Sequence, residues 1–298
     1  MNWIPGQARN DKKVMPYRTN FGDLPKENST LETAKVVILP VSYDGTSTWG
    51  KGADKGPEVI IEASANMELY DIETDSEVYK KNIFTAEPIT GNGAPEKMAE
   101  KVKAAVSGFL KKDKLVVTLG GEHSITVGAV AAYAEKYKNL SVLQLDAHAD
   151  LRPEYQGWKY SHASAMSRVR EICPIVQVGI RSLDIIEKPF LEKGRVFYAE
   201  NICNKTDWHD KAISKLTDKV YVTIDLDVFD PGILPSTGTP EPGGLGWYRV
   251  LEFLKKVSQK KNIVGFDVVE LCPNKNERSS DFLAAKLIYK LLSYKFIK

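Results

Sequence analysis

Six short apolar runs, rich in β-branched residues, set the limits on what this chain can fold into. They lie at 36–39, 115–119, 141–145, 175–178, 220–224 and 263–269. None keeps the strict apolar/polar alternation of a strand with one wet face, so each reads as a strand covered on both sides. Stretches with helical apolar spacing separate several of them, at 95–111, 124–137, 247–258 and 280–292. Strands alternating with helices imply βαβ units, which assemble into a parallel sheet with helices on both faces. The expected fold class is therefore α/β. No internal repeat, low-complexity tract or linker interrupts the 298 residues, so a single domain over 1–298 is expected. Residues 1–34 are polar and broken by prolines, and read as an N-terminal arm or irregular cap.

Charge narrows the partners. With 41 basic against 39 acidic residues the formal net charge is +2, which gives no broad electrostatic case for nucleic acid or a membrane surface. Lysine pairs such as Lys80-Lys81 and Lys255-Lys256 read as solvated faces. No run approaches the roughly 18 apolar residues of a membrane helix, and the first residues lack the apolar stretch of a secretory signal. Cys173, Cys203 and Cys272 are odd in number and widely spaced, so they form neither a disulfide framework nor a CxxC metal pair. A cytoplasmic protein with free thiols is expected.

In open α/β sheets ligands bind beyond the carboxyl ends of the strands, so the polar residues directly after the apolar runs carry the most information. After 141–145 comes DAHAD, with Asp146, His148 and Asp150 at i, i+2 and i+4. If this segment stays extended, alternation sets all three side chains on one face. Two carboxylates and an imidazole together suit a divalent cation. After 220–224, Asp225 and Asp227 repeat the i, i+2 spacing, and Asp230-Pro231 follows as a turn. After 115–119, Gly120-Gly121 permits a tight turn, and Glu122-His123 opens the next helix. Parallel strands bring these three ends to one edge of the sheet. Four converging aspartates match the charge of two divalent ions. Of the remaining histidines, His162 lies in a polar loop segment and His209, in WHDKAI, reads as a surface residue.

At this point the chain resembles the ureohydrolases, the arginase and agmatinase family. The resemblance runs from about Pro40 to Pro273 and rests on GGEHS at 120–124, DAHAD at 146–150, SH at 161–162, DLDVFDP at 225–231, TGTPEPGG at 237–244 and DVVELCP at 267–273. It implies a three-layer α/β/α domain with a mostly parallel eight-stranded sheet. It implies two Mn2+ per chain with a hydroxide held between them. One ion would be bound by His123, Asp146, Asp150 and Asp225, the other by Asp146, His148, Asp225 and Asp227. The same resemblance makes His162 a proton shuttle, Glu270 the partner of the substrate guanidinium, Asp150 a donor to the leaving amine and Thr239 a pocket-lining residue. It also implies a homotrimer or homohexamer.

Within that family the chain looks most like agmatinases, which split agmatine into putrescine and urea. Arginases carry an asparagine two residues beyond the last DxHxD aspartate, whereas this chain has Arg152. TGTPEPGGL, DVVEL and YDGTSTWGKGADKGPEVI are agmatinase-like, while His162-Ala163-Ser164 departs from the HGT-type residues of many agmatinases. Aminopropylagmatine, guanidinobutyrate (with Arg152 facing its carboxylate) and formiminoglutamate are alternative substrates. A non-catalytic metal-binding homologue and a one-zinc deacetylase are the readings from other classes. The substrate's amine end is expected to meet the loops 152–160 and 181–184.

Overall fold

The computed structural model describes residues 20–296. Nine strands form one wholly parallel sheet: β1 (Val36–Ser42), β2 (Ile83–Thr85), β3 (Ile89–Thr90), β4 (Leu115–Gly120), β5 (Leu140–Leu145), β6 (Ile175–Ile180), β7 (Val196–Tyr198), β8 (Lys219–Asp225) and β9 (Asn262–Val269). Their spatial order is β2-β1-β4-β9-β8-β5-β6-β7, with β3 also paired to β1. The sheet thus has nine strands where eight were expected, and the reason is local. β2 and β3 follow one another along the same outer edge of β1, with Pro88 between them. Proline has no N–H for the ladder, so this edge is broken into two short pieces.

All six sequence-predicted strands are present. They bury alternate residues in two cores, one on each face. Val36 and Ile38 enter one, with Val117 and Leu119; Val37, Leu39 and Val41 enter the other, with Val116. The helices are, in chain order, α1 (Gly56–Ser64), α2 (Pro95–Leu110), α3 (Thr126–Lys136), α4 (Ala165–Val169), α5 (Ala199–Ile202), α6 (His209–Ser214), α7 (Trp247–Lys260) and α8 (Ser279–Phe296), and residues of α1, α5, α6, α7 and α8 line the first core. Residues of α2, α3 and α4 line the second. The four predicted helices correspond to α2, α3, α7 and α8, with ends moved by a few residues.

The expected N-terminal arm falls partly outside the described residues, at 1–19. Its remainder is an anchored cap. Phe21 and Leu24 are buried, the Phe21 N–H donates to Thr85 Oγ1 (2.9 Å) and the Gly22 N–H to Ser64 Oγ (2.8 Å). None of the described helices is long and apolar enough to cross a membrane. The three cysteines are free, as expected.

His209 corrects the sequence reading. It is fully buried at the start of α6, edge-on to Trp208 at 4.4 Å between ring centroids and 5.2 Å from Phe253. Neither ring nitrogen finds a hydrogen-bond partner among the described residues. The WHDKAI segment misleads because its charged neighbours are exposed while the helix turns His209 inward. Burial, then the Lys256 charge, lowers this imidazole to about 4. The folded chain therefore refuses a proton that the unfolded chain accepts from about pH 6.5 downward. Stability should fall as pH drops from about 6.5 to 4 and stay lowered below that. Urea unfolding of a His209→Phe variant should show an acid loss smaller than wild type by about 1–3 kcal/mol. Equal losses in both proteins would refute this role.

Candidate metal centre

The four central strands, β4, β9, β8 and β5, lie side by side, and each delivers site residues from its carboxyl end. Beyond β4, a Cβ on Gly121 would lie 1.9 Å from the Tyr43 carbonyl oxygen, so only glycine lets the chain turn here. The Gly121 and Glu122 N–H groups donate to Val41 and Tyr43 carbonyls. This launches His123 at the start of a single 3₁₀ turn, His123–Ile125.

Beyond β5 the structure differs from the extended segment expected. Strand geometry ends at Leu145. The 146–150 loop curls, with Asp146 Oδ1 accepting the His148 N–H (2.6 Å) and Asp150 in the left-handed region at φ 53°. Asp146, His148 and Asp150 converge because the loop wraps around a centre, not because a strand presents one face. Beyond β8, Asp225 Oδ1 accepts the Asp227 N–H and Asp227 Oδ1 accepts the Ala147 N–H, both at 2.9 Å. Beyond β9, Glu270 is also left-handed at φ 66°, and its Oε1 accepts the His123 N–H at 2.6 Å. Two non-glycine residues held in this sparsely populated region at one site mark a geometry imposed by the surrounding structure.

The predicted residues meet in two clusters that share Asp146. His123, Asp146 and Asp225 form one group of atoms able to hold a metal, and Asp146, His148 and Asp227 the other. His123 Nδ1 stands 3.2 Å from Asp146 Oδ2, 3.1 Å from Asp150 Oδ2 and 3.4 Å from Asp225 Oδ2. His148 Nδ1 is 2.8 Å from Asp227 Oδ2 and 3.8 Å from Asp146 Oδ1. Although surrounded by carboxylates, His123 Nδ1 is buried with no hydrogen bond among the described residues. Its other nitrogen explains why. Thr223 gives its one hydroxyl proton to Asp267 Oδ1 (2.6 Å) and so accepts at His123 Nε2 (2.9 Å). Nε2 is thus a donor, which leaves Nδ1 as the nitrogen facing the same point as three carboxylates. A buried Nδ1 without a hydrogen bond amid carboxylate oxygens fits a divalent cation, which would displace the imidazole's second proton and take the Nδ1 lone pair.

Electrostatics give the same answer. Burial, reinforced by Asp227, pushes Asp146 up to about 7. Burial followed by repulsion from Asp227 and Asp146 holds Asp225 well above the carboxylate range. Burial and the nearby Glu122 raise Glu270 in the same direction. Burial alone would lower both cluster imidazoles. Instead the three carboxylates hold His123 well above its ordinary value, and Asp227 takes His148 up to about 11. Asp227 resists its own burial and is held at about 2 by His148 and the Ala147 N–H. Without a cation, the cluster moderates its negative charge by retaining protons.

A cavity of about 320 Å³ opens onto the clusters. His162, Thr239, Glu270, Asp150, His148, Asp225 and Asp227 all line it. His162 begins a second 3₁₀ turn, His162–Ser164, and burial lowers its ring below the usual histidine range. Arg152, Tyr155 and Asp184 form the outer wall. Arg152 pairs with Asp184 at 3.0 Å and lies 4.8 Å from the Tyr155 ring centre. Arg181 points elsewhere: its guanidinium donates to the carbonyls of Gly179, Asp227, Phe229, Glu241 and Pro242.

The sequence reading missed the layer beneath the ligands. Asp267, fully buried within β9, accepts from Thr223, Tyr221 and Thr126. Its signal was present as an acidic residue inside an apolar run, which demands partners. Glu122 and Thr46 were missed likewise, although both lie in quoted motifs.

A model of the arginase family matches residues 34–293. The chain belongs to the arginase family. It is similar to an N(1)-aminopropylagmatine ureohydrolase of Synechocystis, 38% identical and covering 88% of this chain and 89% of that one. It is also similar to an agmatinase of Pyrococcus horikoshii, 33% identical over 93% and 96% of the two chains. Among solved structures, the proclavaminate amidino hydrolase of Streptomyces clavuligerus superposes with a TM-score of 0.84 at 30% identity, covering 93% and 96%. The arginase-family fold of this chain is thus shared along nearly its whole length.

Metal binding here must displace protons from groups such as Asp146, so affinity should rise with pH through about 7. Mn2+ titration followed by electron paramagnetic resonance should show at least about tenfold weaker binding at pH 6 than at pH 8. Equal affinities would contradict the electrostatics described.

Proposed function

We propose that this chain is a metal-dependent ureohydrolase that cleaves a linear aminoalkylguanidine to urea and an amine, with N(1)-aminopropylagmatine as its substrate and agmatine as the shorter alternative. The observation that carries the reaction is the pair of clusters sharing Asp146, opening onto one cavity with Glu270 and His162. In this reading His123, Asp146, Asp150 and Asp225 hold one ion, and Asp146, His148, Asp225 and Asp227 hold the other. A bound divalent pair, for which Mn2+ is the proposed species, lowers the pKa of water and supplies a nucleophile near neutral pH.

The remaining steps belong to the chain's own groups. A guanidinium is cationic and resonance-stabilised, so it must be held with its carbon facing the clusters. Glu270 is suited to this: Oε1 is occupied by the His123 N–H, and no donor among the described residues meets Oε2. A cationic guanidinium would also draw the raised Glu270 carboxyl back to its ionised form. Thr239 lines the wall beside it. Asp150 passes a proton to the leaving amine, and His162 exchanges protons with solvent.

The tail of the substrate follows from the outer wall. The Arg152 charge is already taken by Asp184, which leaves little for the carboxylate of guanidinobutyrate or arginine. An amine tail meets no unpaired cation there. Between the two amines, the 38% identity with the aminopropylagmatine enzyme against 33% with the agmatinase favours the longer one.

Urea release with Mn2+ should give the highest kcat/KM for N(1)-aminopropylagmatine, then agmatine, with arginine and guanidinobutyrate at least about 10-fold lower, as a carboxylate with no free cation to meet it requires. Preference for arginine would overturn the proposal. Glu270→Gln should reduce kcat/KM by about 10- to 100-fold with two ions retained, consistent with loss of one charge-assisted pair. Asp227→Ala should lose metal, read by elemental analysis, together with turnover.

A further inference from the structure

The DGTSTWG segment at 44–50 supplies no candidate metal ligand, yet it reaches into the site. Glu122, fully buried beside His123, accepts four hydrogen bonds. Thr46 N–H (2.6 Å) and Ser47 N–H (3.0 Å) bind Oε2; Thr46 Oγ1 (2.7 Å) and Ser124 Oγ (2.6 Å) bind Oε1. Thr46 Oγ1 also meets His162 twice, accepting its backbone N–H at 2.9 Å and lying 3.1 Å from Nδ1.

The proton count decides the imidazole's state. A threonine hydroxyl has one proton and two lone pairs. Thr46 spends the proton on Glu122 Oε1, so both lone pairs must accept. One takes the His162 backbone N–H, and the other faces Nδ1, which can satisfy it only as Nδ1–H. We propose that Thr46, held by Glu122, is a positioning residue that fixes His162 in the Nδ1–H tautomer and leaves Nε2 as the nitrogen that exchanges protons with the cavity. His162 lines that cavity, and Tyr155 packs edge-on against its ring at 5.7 Å between centroids. No described residue hydrogen-bonds Nε2. A loop after β1 thereby sets the proton chemistry of a loop after β5. The inference rests on His162 being the proton carrier of the proposed reaction; the tautomer itself does not.

The test uses the full chain loaded with diamagnetic Zn2+ and labelled with 15N-histidine, at a pH where the His162 ring is neutral. His162→Asn identifies the His162 signals. Wild type should show a protonated Nδ1 and an unprotonated Nε2. Thr46→Val, which keeps the shape and removes the hydroxyl, should lose that preference; Thr46→Ser should restore it. With Mn2+ and the guanidine substrate, Thr46→Val should lower kcat by about 10- to 100-fold with KM within about twofold and two metals per chain, and Thr46→Ser should recover most of the rate. An Nε2–H tautomer in wild type overturns the proposal, and this reading needs no variant to fold. So does a Thr46→Val protein that keeps both the tautomer and the rate. If wild type releases urea from no guanidine, the proposed function fails, while the nitrogen spectrum still decides the tautomer.

Discussion

The structure is organised around the crowding of four aspartates at the carboxyl ends of its central strands. Asp146, Asp150, Asp225 and Asp227 are all buried, and oxygens from three of them stand within 3.4 Å of one imidazole nitrogen. Several uncompensated carboxylates in a low-dielectric interior repel one another and lose hydration, at a cost of several kcal/mol each. Such a cluster survives only on a scaffold that does not relax. The sheet provides one, because both its faces are covered and the ligands issue from its middle. Topology sharpens the point. β9 and β8 come last among the strands, yet they lie between β4 and β5. Asp225, Asp227 and Glu270 reach Asp146 and His123 only when these late strands are seated, so the clusters close with the sheet itself.

Around the carboxylates lies a layer of hydroxyls with definite proton assignments. Thr223 is committed to Asp267, which makes His123 Nε2 a donor and leaves Nδ1 to face the carboxylates. Thr46 is committed to Glu122, which sets the opposite tautomer on His162. One arrangement, carboxylate to hydroxyl to imidazole, thus gives two histidines different tasks by presenting the hydroxyl to different ring nitrogens. The acids behind each hydroxyl are fully buried, and their lone pairs are filled by short hydrogen bonds. Satisfied networks of this kind hold geometry at low dielectric, whereas a missing partner would leave a costly orphan.

What was legible in the sequence follows from which interactions are local. The six long strands announced themselves because a strand buried on both faces must be apolar throughout. Strands β2, β3 and β7 did not, since runs of two or three residues are too short to carry a period. The ligand aspartates were legible because they directly follow buried strands, and the polar residues at such ends have few structural reasons to cluster. How they converge was not, since the left-handed turn at Asp150 is imposed by the packing of its loop. His209 failed for the converse reason: its segment is charged, but the helix rotates one face of it into Trp208 and Phe253. Glu122 and Thr46 were visible as letters but not as partners, because their pairing spans 76 residues.

The reaction is easier to read than the substrate's tail because the two depend on different parts of the fold. Guanidine chemistry depends on strand ends, whose positions the sheet fixes. The tail depends on loops, where a charge can be available or already spent. Arg152 and Arg181 look alike in sequence, as cations just beyond ligand-bearing or neighbouring strands. In the fold Arg181 ties five carbonyls of the 179–242 region together, and Arg152 is neutralised by Asp184. Neither is left as an anchor for an anionic tail. A cavity whose arginine is paired, beside a cluster of carboxylates, is what the proposed cationic substrate would require, and that pairing runs between loops that no local pattern encodes.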